Sequence, residues 1–308
     1  MKLNSNKPVL EFEGDSKKLT EALSATVIVG EHLWVASDEL TSVERLTNDN
    51  GNGFKHHKQF PLKDLIQLPA AGTNADQEID LEGLDHENSY LWLVGSHSIK
   101  RKKVEEGGAD PTEKKIRKLA KTESEGNRFV LARIPLNASG ELVAEMPDAG
   151  NPQKVLKAAQ LEGDTKRNEL TDAIKFPDPG DLHFANFLSV PGKDNGFDIE
   201  GLAVEGDRIF VGLRGPVLRG WAGILEVSVC DEEPARLKLR EIGPDGRRYK
   251  KHFLDLKGLG VRDLCVAGSD MLILAGPTMN LDGPVIVFRW PKAFEAPGEQ
   301  LIFADQLQ

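Results

Sequence analysis

Four stretches of this chain share one pattern: a short segment centred on a charged residue, then a turn, then a strongly apolar strand. They read Thr20-Glu21-Ala22-Leu23 before HLWVAS, Leu81-Glu82-Gly83-Leu84 before YLWLVGS, Ile199-Glu200-Gly201-Leu202 before RIFVGLRG, and Val261-Arg262-Asp263-Leu264 before MLILAGP. Aligned on the charged residue, the copies lie 61, 118 and 62 residues apart, and 118 is close to two periods. A repeat near sixty residues decides architecture before any local reading does, because each copy must bury its apolar faces against the next.

Within a copy the apolar runs are short, rich in Val, Ile, Leu and Phe, and bounded by Gly, Asp, Asn and Pro, which is strand-and-turn punctuation. The third copy reads as four strands: DIEGLAVEG, RIFVGLR, AGILEVSV and ARLKLREIG. Four antiparallel strands per unit of this length make the blade of a β-propeller. The sequence therefore predicts an all-β fold, one β-propeller domain over residues 1–308 with about five blade positions, four of them legible. The stretch 137–195 should hold the fifth, yet Asn151-Pro152 has the form of a helix start and VLKAAQLEGDTKRNELTDAI reads as helical. That position is either a degenerate blade or a helical insertion over 150–176. Residues 101–127 form a charged loop insertion, with a helix expected from Pro111 to Lys121; it is a solvated excursion or a lid.

The bulk numbers exclude some partners. A net charge of −10 argues against a nucleic-acid or anionic-membrane surface, since phosphate neutralisation needs a basic footprint. The N-terminal MKLNSNKPVLEFEGD lacks a signal-peptide core, and no run approaches a membrane span, so a soluble, cytoplasmic protein is expected. Cys230 and Cys265 both sit in apolar strand contexts and are expected as buried free thiols.

Strand direction in a blade puts the start of the inner strand on the same face as the loop between second and third strands. Both places are chemically unusual here. The strand starts carry Glu21, Asp80 with Glu82, Asp198 with Glu200, and Arg262 with Asp263; the loops carry Asp38, Ser96-His97-Ser98 with Lys100 and Arg101, Arg214 with Arg219, and Thr278 with Asn280. These should converge on one mouth of the central channel. A ring of Glu21, Glu82, Glu200 and Asp263 would suit calcium, which accepts six to eight oxygen ligands; otherwise the carboxylates bond loop N–H groups or pair with Arg262. Arg214 and Arg219 lie in a Gly-rich loop and supply forks suited to carboxylate or phosphate, or one stacks on Trp221 or pairs with a channel glutamate. His97 is a candidate general base or metal ligand; His56, His57 and His252 have no ligand-spaced neighbours and are read as structural or exposed.

The strings LEGL…LWLVGSHSIKR, DIEGLAVEGDRIFVGLRGPVLRGWA, HFLDLKGLGVRDL and MLILAGPTMNLDGPVIVFRW resemble the bacterial family known as domain of unknown function 3616, over roughly residues 20–290. That family name confers no activity. The EGL-start blades also look like those of phytase-like and gluconolactonase-like propellers, and that resemblance implies channel-facing carboxylates that hold calcium. If the last blade is short, the N-terminal VLEFEG strand is the candidate to complete the ring.

Two functions follow as expectations. The first is a metal-assisted hydrolase of a small anionic or phosphorylated molecule. In it Glu21, Glu82, Glu200 and Asp263 hold calcium, with Glu82, Glu200 and His97 as catalytic groups. Arg214, Arg219, Lys100, Arg101, Asp38, Arg262, Thr278 and Asn280 would bind the substrate. The second is a non-catalytic propeller that binds a small anionic molecule or a protein partner through the same face. Whether the protein is an enzyme stays open at this point.

Overall fold

The computed structural model describes residues 7–14, 17–72, 77–104, 107, 110–177, 179–232 and 235–308. Residues 105–106 and 108–109 of the charged loop, and 1–6 of the N-terminal segment read for a leader, lie outside that set. Four antiparallel blades follow one another along the chain. The first runs from its inner strand Leu23–Val29 through His32–Ser37 and Ser42–Asn48 to an outer strand, Gly53–Pro61. The second uses Leu81–Glu87, Tyr90–Gly95, Leu131–Pro135 and Ala159–Leu161. The third uses Asp198–Glu205, Arg208–Gly215, Trp221–Val227 and Lys250–Asp255. The fourth has three strands, Gly260–Ala267, Asp270–Gly276 and Ile286–Trp290.

The blades pack because alternate residues of each strand are apolar and face a neighbouring sheet. Trp34, Ala36 and Val43 of the first blade meet Leu81, Leu91 and Leu93 of the second. Trp92 and Val94 meet Ile199, Val211 and Leu225 of the third. Phe210, Ile224 and Leu254 meet Leu264, Ile273 and Phe288 of the fourth. Among the described residues no such cluster joins the fourth blade to the first. The far side of the fourth blade instead leaves Val285 and Val287 about 60% exposed. The far side of the first is covered locally, where Leu10, Phe12 and Phe54 lie over Leu33, Val35 and Leu46.

Several expectations change here. Among the described residues there are four blades, and 137–195 adds no fifth. The stretch 137–195 holds a hairpin, Glu145–Asp148 with Asn151–Lys157, then the outer strand of the second blade, then one helix, Glu169–Lys175. Asn151 and Pro152 begin a strand rather than a helix. The Ala, Leu and Lys of VLKAAQL favour helix, but Leu156, Ala159 and Leu161 gain burial against the second and third blades, and that packing overrides propensity. The helix starts at Asn168, whose side chain accepts from Leu170 and Thr171 N–H groups in a capping box.

ARLKLREIG does not close the third blade; Arg236–Leu239 runs parallel to the outer strand of the second, and Lys250–Asp255 takes the place expected of it. Nor does VLEFEG complete the last blade. Val9–Leu10 pairs in parallel with Gly53–Phe54 of the first, while Gln308 exchanges two backbone hydrogen bonds with Arg289 on the edge of the fourth. The expected helix in the charged loop forms at Thr112–Leu119, between short strands Lys100–Arg101 and Thr122–Glu123. Both thiols are free, but Cys230 is half-buried and Cys265 exposed. Among the described residues no helix is long and apolar enough to cross a membrane.

Candidate functional site

Each inner strand is interrupted by a register shift at one equivalent place, which isolates Ser24, Glu82, Glu200 and Arg262. A bulge of this kind re-aims the extra residue, and repeated in four blades it turns four side chains toward one end of the channel. The register corrects the first copy: the counterpart of Glu82 is Ser24, and its hydroxyl donates to the Leu81 carbonyl of the second blade. Glu21 lies on the short helix Lys17–Glu21, is well exposed, and faces Lys17 at 4.0 Å, so it stands outside the ring.

Two arginine-centred networks build the mouth. Arg128, almost fully buried, places Nη1 2.5 Å from Asp80 and Nε 2.8 Å from Glu125, with Nη2 3.1 Å from Glu78. Its Nη1 also donates to the Ser98 and Ser96 hydroxyls at 3.1 and 3.3 Å. Lys100 joins this group through Glu78 and through Glu125 at 2.8 Å, and Arg101 pairs with Asp194 at 2.7 Å. In the second network Arg214 pairs with Glu200, stands 3.6 Å from Asp198, and donates from Nε to the Thr278 carbonyl at 2.9 Å. Arg262 Nε completes it, 2.8 Å from the other oxygen of Glu200.

One group of carboxylates is left over. Asp38, Asp80 and Glu82 bring one oxygen each within 4.8 Å of the others. Of these only Asp80 has an ion-pair partner among the described residues. Asp38 Oδ1 is buried without a hydrogen-bond donor, and Glu82 makes no ion pair or hydrogen bond among the described residues. The electrostatics follow. Burial, then the charges of Asp80 and Glu200, push Glu82 well above the usual carboxylate range. Burial raises Asp80 to about 6 against the pull of Arg128, and burial with Glu200 raises Asp198 to about 7 against Arg214. Asp38 is raised by burial and by Glu39, with Lys193 opposing.

The remaining expected site residues fall elsewhere. His97 is buried; its Nδ1–H donates to the Gly95 carbonyl at 2.8 Å and its Nε2 accepts from Asn168 at 2.7 Å. Burial lowers its pKa to about 4, so it is a neutral imidazole that ties the Glu169–Lys175 helix to the second blade rather than a base facing the channel. Asp263 sits one residue past its bulge, accepts from the Leu264 N–H at 2.8 Å, and faces Asp85 rather than Glu82 and Glu200. Arg219 is exposed at a loop tip with φ 51° and has no ion pair among the described residues. Thr278 contributes its carbonyl to Arg214, and Asn280 is exposed. His57 and His252 pair within their blades with Glu44 at 2.7 Å and Glu226 at 3.0 Å.

Arg128, Glu78, Glu125 and Ser24 escaped the sequence reading. Arg128 and Glu125 stand just before a strand, in a charged stretch where nothing local marks one arginine above its neighbours. Ser24 could have been found only by counting the first copy back from its turn instead of from its nearest acid.

Comparison with curated proteins returns no match. Among solved structures, the crystal structure of the computationally designed Ika8 protein is 9% identical, covers 88% of this chain and 83% of its own, and has a TM-score of 0.25, too loose a likeness to bear on the fold. A family described as "Protein of unknown function (DUF3616)" matches residues 22–308, nearly the whole chain, and the protein belongs to that family.

Proposed function

We propose that this protein is a ligand-binding propeller whose mouth takes a hard divalent cation, calcium first, at Asp38, Asp80 and Glu82. The observation that carries this reading is the close approach of three carboxylates, two of which lack an ion-pair partner among the described residues while Arg214 and Arg262 are committed to other acids. Like charges so close either share protons or share a cation. Three carboxylates fill only part of a calcium shell of six to eight oxygens, so the remaining positions would fall to water and to oxygens of a small anionic ligand. Arg262, more than a third exposed beyond its bond to Glu200, would be the cation offered to that anion. The reading moves the cation away from Glu200, which two arginines hold, and from Glu21 and Asp263. The hydrolytic alternative draws no support from His97, whose two ring nitrogens are both engaged.

Calorimetric titration of chelator-treated protein with calcium and with magnesium tests it. Saturable calcium binding that is lost in Asp38→Asn/Glu82→Gln is the expected result. No binding of either cation at millimolar concentration would leave proton sharing as the account of the cluster and sink the reading.

A further inference from the structure

We infer a second ligand site, on the face opposite the mouth, for a small carboxylate with a flat apolar body. Asn88-Ser89 and Gly206-Asp207 are the turns that end the inner strands of the second and third blades, at the far end from Glu82 and Glu200. Between them lies a cavity of about 350 Å³, with the Glu145–Lys157 hairpin as its outer wall. That volume is within the range of small-molecule sites. Leu156, Ile209 and Val229 give it apolar sides, and Tyr90, Trp92 and Arg133 make its polar corner.

Arg133 lies directly across the sheet from Trp92 and holds its guanidinium 4.4 Å from the Tyr90 ring centre and 5.7 Å from that of Trp92. Stacking fixes the plane of the cation. Two donors on the residues of this corner, Trp92 Nε1–H and Arg133 Nε–H, are buried without an acceptor among the described residues. Buried donors are almost always satisfied, so two orphans beside one cavity point to a missing acceptor. The counter-charge of Arg133 is Asp231, which is 70% exposed, so solvent screens that pair; Lys154 adds a second positive charge to the cavity lining, and Asp148 and Asp207 add two negative ones. An oxyanion would satisfy both donors, and Leu156, Ile209 and Val229 would lie against an uncharged apolar body. The site stands apart from the cation reading of the mouth and does not depend on it.

Calorimetric titration with benzoate, and with benzamide as its neutral counterpart, tests the inference on the full chain and on Trp92→Phe and Arg133→Gln. Benzoate should saturate, benzamide should bind at least about tenfold more weakly, and each variant should weaken benzoate by about tenfold or more, as expected for a lost hydrogen bond to a charged group. Trp92→Phe keeps an aromatic ring at that position but removes the five-membered half of the indole with its N–H, and it carries the test if Arg133→Gln does not fold. Absence of saturable benzoate binding would overturn the inference. So would equal affinity for benzamide, or variant affinities equal to that of the unaltered protein.

Discussion

Arg262 Nε stands 2.8 Å from Glu200 Oε2, across the boundary between the fourth blade and the third. The two residues occupy the same bulge position in successive blades, so the copy that departs from the acidic pattern neutralises its neighbour's carboxylate. With Arg214 on the other oxygen, Glu200 is held from both sides, while Glu82, the matching residue of the second blade, has no ion pair among the described residues. The mouth is therefore divided into a neutralised half and an acidic half.

The hub of the acidic half is Arg128. Its side chain is only 4% exposed and, among the described residues, it alone pairs with Asp80, so Arg128→Met leaves a buried acid uncompensated. Removing one partner of a buried ion pair costs about 3–5 kcal/mol. Chemical denaturation near neutral pH should show a loss of that order. The companion change Asp80→Asn in the Arg128→Met background should restore part of it.

If the acidic half holds a cation, its affinity must depend on protons. Asp80, raised to about 6, and Glu82, raised further than an ordinary glutamate, carry protons at mildly acidic pH that a cation has to displace. Calcium should bind more tightly at pH 8 than at pH 6, with proton release visible as a buffer-dependent heat. An affinity flat across that range would mean that the cation sits elsewhere.

How much of this was legible in the sequence follows from where the physics is local. The apolar runs around Leu91, Phe210 and Ile273 announce strands by themselves, and the acids at 82 and 200 mark the inner-strand starts. The bulge register is not local: only pairing between strands shows that Ser24, not Glu21, is the fourth member of the ring. Likewise Arg236–Leu239 reads as the next strand of its own blade, yet it lies on the second blade because a parallel edge was free there. His97 had the composition of a base, and only burial between Gly95 and Asn168 shows it to be a tether.

That tether makes a separable prediction. His97→Phe removes the acceptor for Asn168 and the donor to Gly95 at a buried position. A loss of about 1–3 kcal/mol is expected from the unpaired groups. Cation binding at the mouth should stay within about twofold, since His97 does not face the carboxylates; calorimetry on the variant checks this.

Asp263 and Asp85 set a pH dependence of stability. Burial raises Asp263 from 3.8 to about 7 and Asp85 from 3.8 to about 6, so the folded state binds their protons more tightly than the unfolded chain does. Their stabilisation is present in full below about 3.8 and is lost as pH rises through about 6 to 7; across that window their contribution to unfolding free energy falls with rising pH. Asp263→Asn should flatten the fall, by on the order of 3 kcal/mol between pH 4 and 8. Denaturation at a series of pH values, with and without the change, gives the difference directly. A slope unchanged by Asp263→Asn would show that the carboxyl is solvated in the folded protein.

The same pair governs the exposed thiol. Cys265 is open to reagents, but burial on its inner side and the charges of Asp85 and Asp263 raise its pKa above the usual 9.0. The thiolate is the nucleophile, so exposure alone does not make this cysteine fast. Iodoacetamide should label it slowly at pH 7.5, and the rate should climb with pH beyond the point where an ordinary thiol levels off. Asp263→Asn removes one of the two charges that oppose thiolate formation, and labelling at pH 8 should accelerate. Peptide mapping separates Cys265 from the half-buried Cys230, whose rate the substitution leaves alone. Were Cys265 labelled equally fast in both proteins, the carboxyl of Asp263 would be either too far from the sulfur or already neutral at pH 8, and pairing the labelling series with the stability series tells these two cases apart.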